Sequence, residues 1–290
     1  MPHTNKTPNL ELPQWLGTDK RKTADDNAAY LKIDTAIQAV QDDVTSTKED
    51  ITGINNALSV TDGNVSTIQG NIDSIINPNI AATYYVRADG NDENDGLTNT
   101  AGGAFATIQH AINILPKMLP HDVIIRCAAG TYDEVVTISG FFGNGSIGII
   151  GNEVGNPVVT ASYKIKQIQA LRNQIRIGII GFSITSTEAD AITVDESWYA
   201  YLRFVLITAS ASKIGVNVTD SSNVYISTVE ISNKSTAIKC ADMSRVFSSI
   251  VMGSGNTTGL HALYGSEIIK NSTQPTATTG ELAEYGGLIR

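Results

Sequence analysis

From Tyr30 to Ile75, apolar residues recur alternately three and four positions apart. Written as heptads, the a positions are Tyr30, Ile37, Val44, Ile51, Leu58, Val65 and Ile72. The d positions are Ile33, Val40, Thr47, Ile54, Thr61, Ile68 and Ile75, and no a or d residue is charged. A 3.5-residue period draws a narrow seam along a helix, narrower than the stripe of a helix packed on its own domain. Such a seam is buried by another copy of itself. β-branched residues at both a and d favour three strands over two. The pattern therefore predicts a trimeric coiled coil over residues 29–76, roughly 70 Å long at ~1.5 Å per residue, stopped by Pro78. Gly53, Gly63 and Gly70 fall at c and f, where each costs up to ~1 kcal/mol of helix propensity without entering the seam. The Ser, Thr and Asn content predicts a helix stabilised by association rather than by intrinsic helicity.

A second periodicity governs the later chain. Ile192, Val216, Ile238 and Leu260 recur at spacings of 24, 22 and 22. The same offsets relate Val194, Val218, Cys240 and Ala262. They hold again for Ala200, Val224, Val246 and Ile268, and for Tyr201, Tyr225, Phe247 and Ile269. Like stacked on like at such a period signals a solenoid, in which each coil buries its apolar face against its neighbours. Alternation as in Val224-Tyr225-Ile226-Ser227 makes the coils strands, hence a parallel β-helix. The leucines of a leucine-rich repeat are absent. Earlier strands are expected at Val123–Arg126, Val135–Ile138, Ile147–Ile150 and within Ile175–Ile184.

The remaining zones follow from composition. Residues 1–28 are polar with Pro2, Pro8 and Pro13, and read as an extended arm with Trp15 as its aromatic anchor. Residues 83–119 hold a short strand at Tyr84–Arg87, the turn-rich run Asp89–Gly96, and a helix marked by Phe105, Ile108, Ile112 and Leu115 that ends at Pro116. That helix is expected to cap the first coil of a β-helix spanning 120–275. Residues 276–290 have little core character and read as a C-terminal cap or tail.

A net charge of −9 with 17% charged residues argues against nucleic acid or an anionic membrane as the main ligand, since both reward basic patches. No apolar run approaches the ~20 residues needed to span a bilayer, and the N-terminus lacks the apolar core of a signal peptide. Cys127 and Cys240 lie outside any metal-ligand spacing. They are expected to be buried thiols of a chain made in a reducing cytoplasm.

Two stretches carry a family resemblance. Tyr85-Val86-Arg87-x-Asp89-Gly90-Asn91-Asp92-x-Asn94-Asp95-Gly96-Leu97, then Ala104-Phe105-x-Thr107-Ile108-x-x-Ala111-Ile112 and Ala129-Gly130-Thr131-Tyr132-x-Glu134, resembles the opening of pectate-lyase-like β-helix domains. The arm, Thr7-Pro8-Asn9-Leu10-x-Leu12-Pro13-Gln14-Trp15-x-Gly17-Thr18-Asp19, is similar to N-termini of tail or collar proteins from phages of Gram-positive bacteria. Arm, trimeric coiled coil and β-helix in series look like phage tail fibres, tailspikes and podophage appendages. The resemblance implies a mainly β fold with an N-terminal α-helical coiled coil, built as a trimeric right-handed parallel β-helix. It also implies docking on a virion tail or collar protein through residues 1–28.

Candidate chemistry lies in the repeats. Glu196, Asp220 and Asp242 share one repeat position next to a turn. They could act as an acid/base pair or bind a cation, or simply occupy a turn where Asp is at home. Asp190, Asp195 and Glu230 are further acids of this region, and the cations Arg203, Lys213, Lys234, Lys239 and Arg245 are scattered. The run Asp89–Gly96 lacks the glutamate of an EF-hand, with Thr100 at the twelfth position, and reads as an Asx-turn loop. The four histidines, at 3, 110, 121 and 261, are dispersed. By alternation, Tyr201, Tyr225 and Phe247 point out of the solenoid, with Trp198 and Tyr199 just before them. Such a column suits sugar stacking or a trimer interface. The expectation is a virion protein, made in the host cytoplasm, that binds a host cell-wall glycan (wall teichoic acid or polysaccharide) with no cofactor or metal. The alternatives are a depolymerase on the same β-helix and a purely structural collar fibre.

Overall fold

The computed structural model describes residues 5–6, 13–14, 23–76, 82–152 and 162–290, with side chains from 26 to 69 in the long helix. The chain divides into two compact units, Met1–Asp73 and Ser74–Arg290.

In the first unit a helix, α1, runs over Thr23–Ile76, starting six residues before the seam's heptads suggest. Among its seam residues, Ile33, Val40, Val44, Ile51, Ile54, Leu58, Val65 and Ile68 are 50–65% exposed, while Tyr30 and Ile37 are half-buried. The hydroxyls of Thr47 and Thr61, the two polar d residues, donate to the carbonyls of Asp43 and Ala57 at 2.8 and 2.9 Å. Each hydroxyl is thus satisfied within its own helix, leaving a methyl for the seam. A Cβ added at Gly53 or Gly63 meets nothing within 4 Å, as expected for positions off the seam. Ile72 and Ile75 lie in the helix, but their side chains fall outside the described residues, as do Trp15 and most of the arm. Within the arm, Asn5–Lys6 pairs antiparallel with Pro13–Gln14.

The second unit is a parallel β-helix. One sheet stacks Thr83–Val86, Val123–Cys127, Ser146–Ile150, Arg176–Ile180 and Tyr199–Arg203, each parallel to the next. It continues through the first parts of Asn223–Ile231 and Arg245–Met252 to Glu267–Asn271 and Leu288–Ile289. A second sheet stacks Gly130–Ser139, Tyr163–Leu171, Ile192–Asp195, Ala211–Thr219, Lys234–Cys240, Asn256–Leu263 and Ala277–Glu284. Shorter pairings, among them Ser183 with Leu206 and Leu206 with Glu230, form a third. All four repeat columns read from the sequence are registered pairs: Ile192 on Val216 on Ile238 on Leu260, and likewise for the others. Residues 277–289, expected as a cap or tail, are placed as strands of a final coil.

The inward positions form one continuous apolar core from Tyr84 to Ile268. The corners demand unusual backbone. Glu196, Asp220, Asp242, Tyr264 and Tyr285 all take positive φ, between 46° and 57°, where one coil turns into the next. At these corners runs a polar ladder. Ser197 N–H donates to the Ser222 hydroxyl at 2.9 Å, and Ser222 N–H to the Ser244 hydroxyl at 3.1 Å. The Asn173 side chain begins the ladder, donating to Ile138 O at 2.8 Å and accepting from Phe141 N at 3.1 Å. The ladder satisfies corner amides that the strands leave behind.

The opening motifs are structural. Helix α2 covers Ile108–Asn113, shorter than expected, with Thr107 as its N-cap; Phe105 instead bridges to Val86. Asp92 accepts from Ala106 N, Thr107 N and the Thr107 hydroxyl at 2.8–2.9 Å, and Glu134 accepts from Ile108 N and Gln109 N at 2.8 and 2.9 Å. Two carboxylates thus hold the helix entrance, which is why the helix starts after Thr107 rather than at Phe105. Asn91 and Asp95 accept from Glu93 N and Leu97 N, making Asp89–Gly96 a run of Asx turns. Ile108, Ala111, Ile112 and Leu115 are buried, and α2 packs on the strands of the first coil.

Candidate functional site

On the first sheet, alternation buries Ala200, Val224 and Val246 and turns their neighbours outward. Tyr201, Tyr225 and Phe247 stand in register, with ring centroids 5.6 Å apart for the first pair and 5.0 Å for the second. The Tyr225 and Phe247 rings are near-parallel, 7° from coplanar orientation. Tyr199 lies two residues before Tyr201, on the same face. Trp198 sits at the corner, 61% exposed. Burial pushes the Tyr199 hydroxyl's pKa up, followed by the nearness of Tyr201 and Tyr225; the positive charge of Arg176 opposes both.

Two shallow depressions flank Tyr199. One, of about 300 Å³, is lined by Trp198, Tyr199, Asn223, Tyr225, Arg245 and Phe247. Its guanidinium is engaged: Arg245 Nε lies 2.9 Å from Glu267, which also holds Arg290 at 2.6 Å. The other, of about 370 Å³, is bounded by Tyr199, Tyr201, Arg176 and Ser146 and floored by Gly148 and Gly178. These two glycines occupy the register of the aromatic column: Gly148 pairs with Gly178, and Gly178 with Tyr201. Among the described residues Arg176 makes no ion pair.

The acids stand apart from this face, at the corners that lead into its strands. Asp220 is fully exposed, and its carboxyl is held above the usual range by a hydrogen bond to Asp195 and by that residue's charge; Asp242 and Glu196 add smaller contributions. Asp195 also accepts from the Thr219 hydroxyl at 2.6 Å. Glu196, Asp220 and Asp242 share the left-handed corner conformation, which Asp tolerates better than most residues. Asp190 is occupied by Ile214 N and the Asn217 amide at 3.0 and 3.1 Å. Among the described residues, no group of three or more His, Cys, Asp or Glu is placed to hold a metal ion, and no helix is long and apolar enough to cross a membrane.

The other candidates have local duties. Lys234 is buried, its ammonium on the Ala209 carbonyl at 2.7 Å, and burial lowers its pKa against the pull of Asp190. Cys127 and Cys240 are buried free thiols; burial pushes Cys240 up to about 11 and Cys127 well above its ordinary value. His110 packs on Phe105 with centroids 4.8 Å apart, and His261 meets Glu284 at 3.0 Å.

Sequence reasoning found the aromatic column but missed what lies beside it. Gly148, and then Arg176 and Gly178, fall in two earlier, less regular coils, 30 residues from Gly148 to Gly178 and 23 from there to Tyr201. Their signal was a bare glycine at the position where later coils carry a ring. No family model, no curated protein and no solved structure matches the chain.

Proposed function

We propose that the chain is a trimeric virion fibre or appendage protein whose β-helix binds a carbohydrate of the host cell surface, wall teichoic acid or another wall polysaccharide. The observation that carries the reading is the outward column Tyr201, Tyr225 and Phe247, flanked by Tyr199 and exposed Trp198, on one sheet of a parallel β-helix. Rings on a flat, rigid surface present broad apolar area with polar edges, which suits sugar rings. The uncovered seam of α1 supports three copies per particle, since one helix offers it no cover. Three sites on one particle turn weak sugar contacts into a firm hold. Residues 1–28 supply the attachment to a tail or collar protein, following the resemblance of the arm.

The depolymerase reading keeps one specific observation, the nearness of the Asp195 carboxylate to Asp220, which raises the Asp220 pKa. A carboxyl of raised pKa beside another acid is a feature of acid/base sites. Its test is release of soluble sugar or phosphate from walls, lost on Asp220→Ala.

The deciding experiment is co-sedimentation of the protein with Gram-positive cell walls, intact and stripped of teichoic acid and polysaccharide. Retention that disappears on stripping, and falls at least tenfold in Trp198→Ala with the trimer intact, supports the reading. Absence of retention on any wall overturns it in favour of a structural collar fibre.

A further inference from the structure

The gap beneath the aromatic column is not required by the fold. Gly148 and Gly178 sit within strands, and neither takes the left-handed conformation that favours glycine. A Cβ built at Gly178 comes no closer than 3.7 Å to the Gly148 Cα and 3.8 Å to the Ile147 carbonyl. At Gly148 the nearest atoms are 3.9 Å away. These are ordinary contacts, so a Cβ fits at both positions. Glycine inside a strand weakens it, and a strand that keeps glycine without steric need leaves its surface open to something that approaches closely. In the next three coils the same register carries Tyr201, Tyr225 and Phe247, each ring packed against the next. Two bare positions therefore end the stack and expose the free side of Tyr201 as a wall above a backbone floor.

Arg176 gives this opening its sign. It stands at the rim of the depression in a chain of net charge −9, exposed and without an ion pair among the described residues. The equivalent cation of the neighbouring depression, Arg245, is already held by Glu267. A guanidinium left unpaired beside an aromatic wall matches a planar or tetrahedral anion joined to a ring.

We propose that the depression formed by Gly148, Gly178, Tyr199, Tyr201 and Arg176 is a subsite for a sugar ring bearing an anionic substituent, phosphate or carboxylate. The ring lies over the glycine floor against Tyr201, and Arg176 takes the anion. The inference rests on the carbohydrate-binding reading above and deepens it.

The test uses the full chain and four probes read by saturation-transfer NMR: glucose 1-phosphate, glucuronate, glucose and inorganic phosphate. A glycosyl phosphate or uronate is expected to bind at least tenfold more tightly than glucose or phosphate alone. Which of the two wins distinguishes a phosphate-bearing from a carboxylate-bearing glycan. Arg176→Gln should remove the preference for the charged sugar, and Gly178→Tyr should abolish binding by extending the aromatic stack into the floor. Lys239→Gln, on the second sheet away from this face, should leave it unchanged. If Gly178→Tyr melts like the parent protein and still binds the charged sugar, the site is elsewhere and the proposal fails. Equal binding of phosphate alone, or no binding of either charged sugar, also overturns it. Wall co-sedimentation of the same variants separates the two levels. Retention of both variants at parental level removes this subsite and leaves the fibre reading standing, whereas no retention of the parent removes that reading itself.

Discussion

The long helix and the β-helix solve the same problem, a long apolar pattern on a slender element, in opposite ways. In the solenoid each coil covers the one before it, so Ile177, Ala200, Ile226 and Val246 are at or near zero exposure within a single chain. Along α1 the seam residues from Ile33 to Ile68 are mostly half-exposed or more, and among the described residues of the first unit no other element is long enough to cover them. The difference teaches where stability must come from. Solenoid stability is intramolecular and independent of concentration, a sum over neighbouring coils. On the proposed assembly, helix stability depends on mass action between copies.

Four experiments break or sharpen this contrast. The largest effect is expected from Ile226→Asp, which puts a charge into the fully buried core. It should cost about 4 kcal/mol or more, or prevent folding, read as loss of the cooperative β transition in circular dichroism. A parental melt would mean that position 226 does not face the core. Next, Ile54→Asp in the seam should convert the proposed trimer to monomer in sedimentation while the β signal persists; a trimer of unchanged mass would place assembly in the β-helix rather than in α1.

An intermediate effect tests the corner ladder. Ser222→Ala removes the acceptor of the Ser197 amide and leaves a buried donor unpaired, at a cost of about 1–3 kcal/mol in chemical denaturation. The smallest effect concerns the acid corner. Because the Asp220 carboxyl is held above its ordinary range by Asp195, the folded chain favours its protonated form. That contribution is present at low pH and is lost as pH rises through the folded value. Asp220→Asn should therefore raise Tm at about pH 7 relative to that at about pH 4, compared with the parent. An unaltered pH profile would show that the pair is broken in solution.

Legibility tracked regularity. From Ile192 onward the repeat holds at 22–24 residues, and every column read there became a hydrogen-bonded register. The aromatic column followed, since alternation alone decides which side of a strand faces out. In the earlier coils insertions break the period, so Gly148, Gly178 and Arg176 could not be aligned with Tyr201 by eye. The third sheet escaped notice because strands such as Ser183–Ile184 and Leu206–Ile207 are two residues long and carry no periodicity. The serine ladder had a signal, Ser197, Ser222, Ser244 and Ser266 at nearly the coil spacing, but serine at a turn is too common to be read as a buried column.

By itself, the chain's hydrophobic pattern determined the helix, the solenoid and the outward aromatic column. Those features depend on periods of 3.5, 2 and about 22 residues, which are written locally and repeated. Only the tertiary structure decided that two carboxylates grip the entrance of α2, that Asp195 lies close enough to raise the Asp220 pKa, and that an unpaired arginine borders a glycine floor. Each of these joins residues whose separation obeys no period, and their distances are set by how irregular loops close between coils rather than by any local preference of the chain.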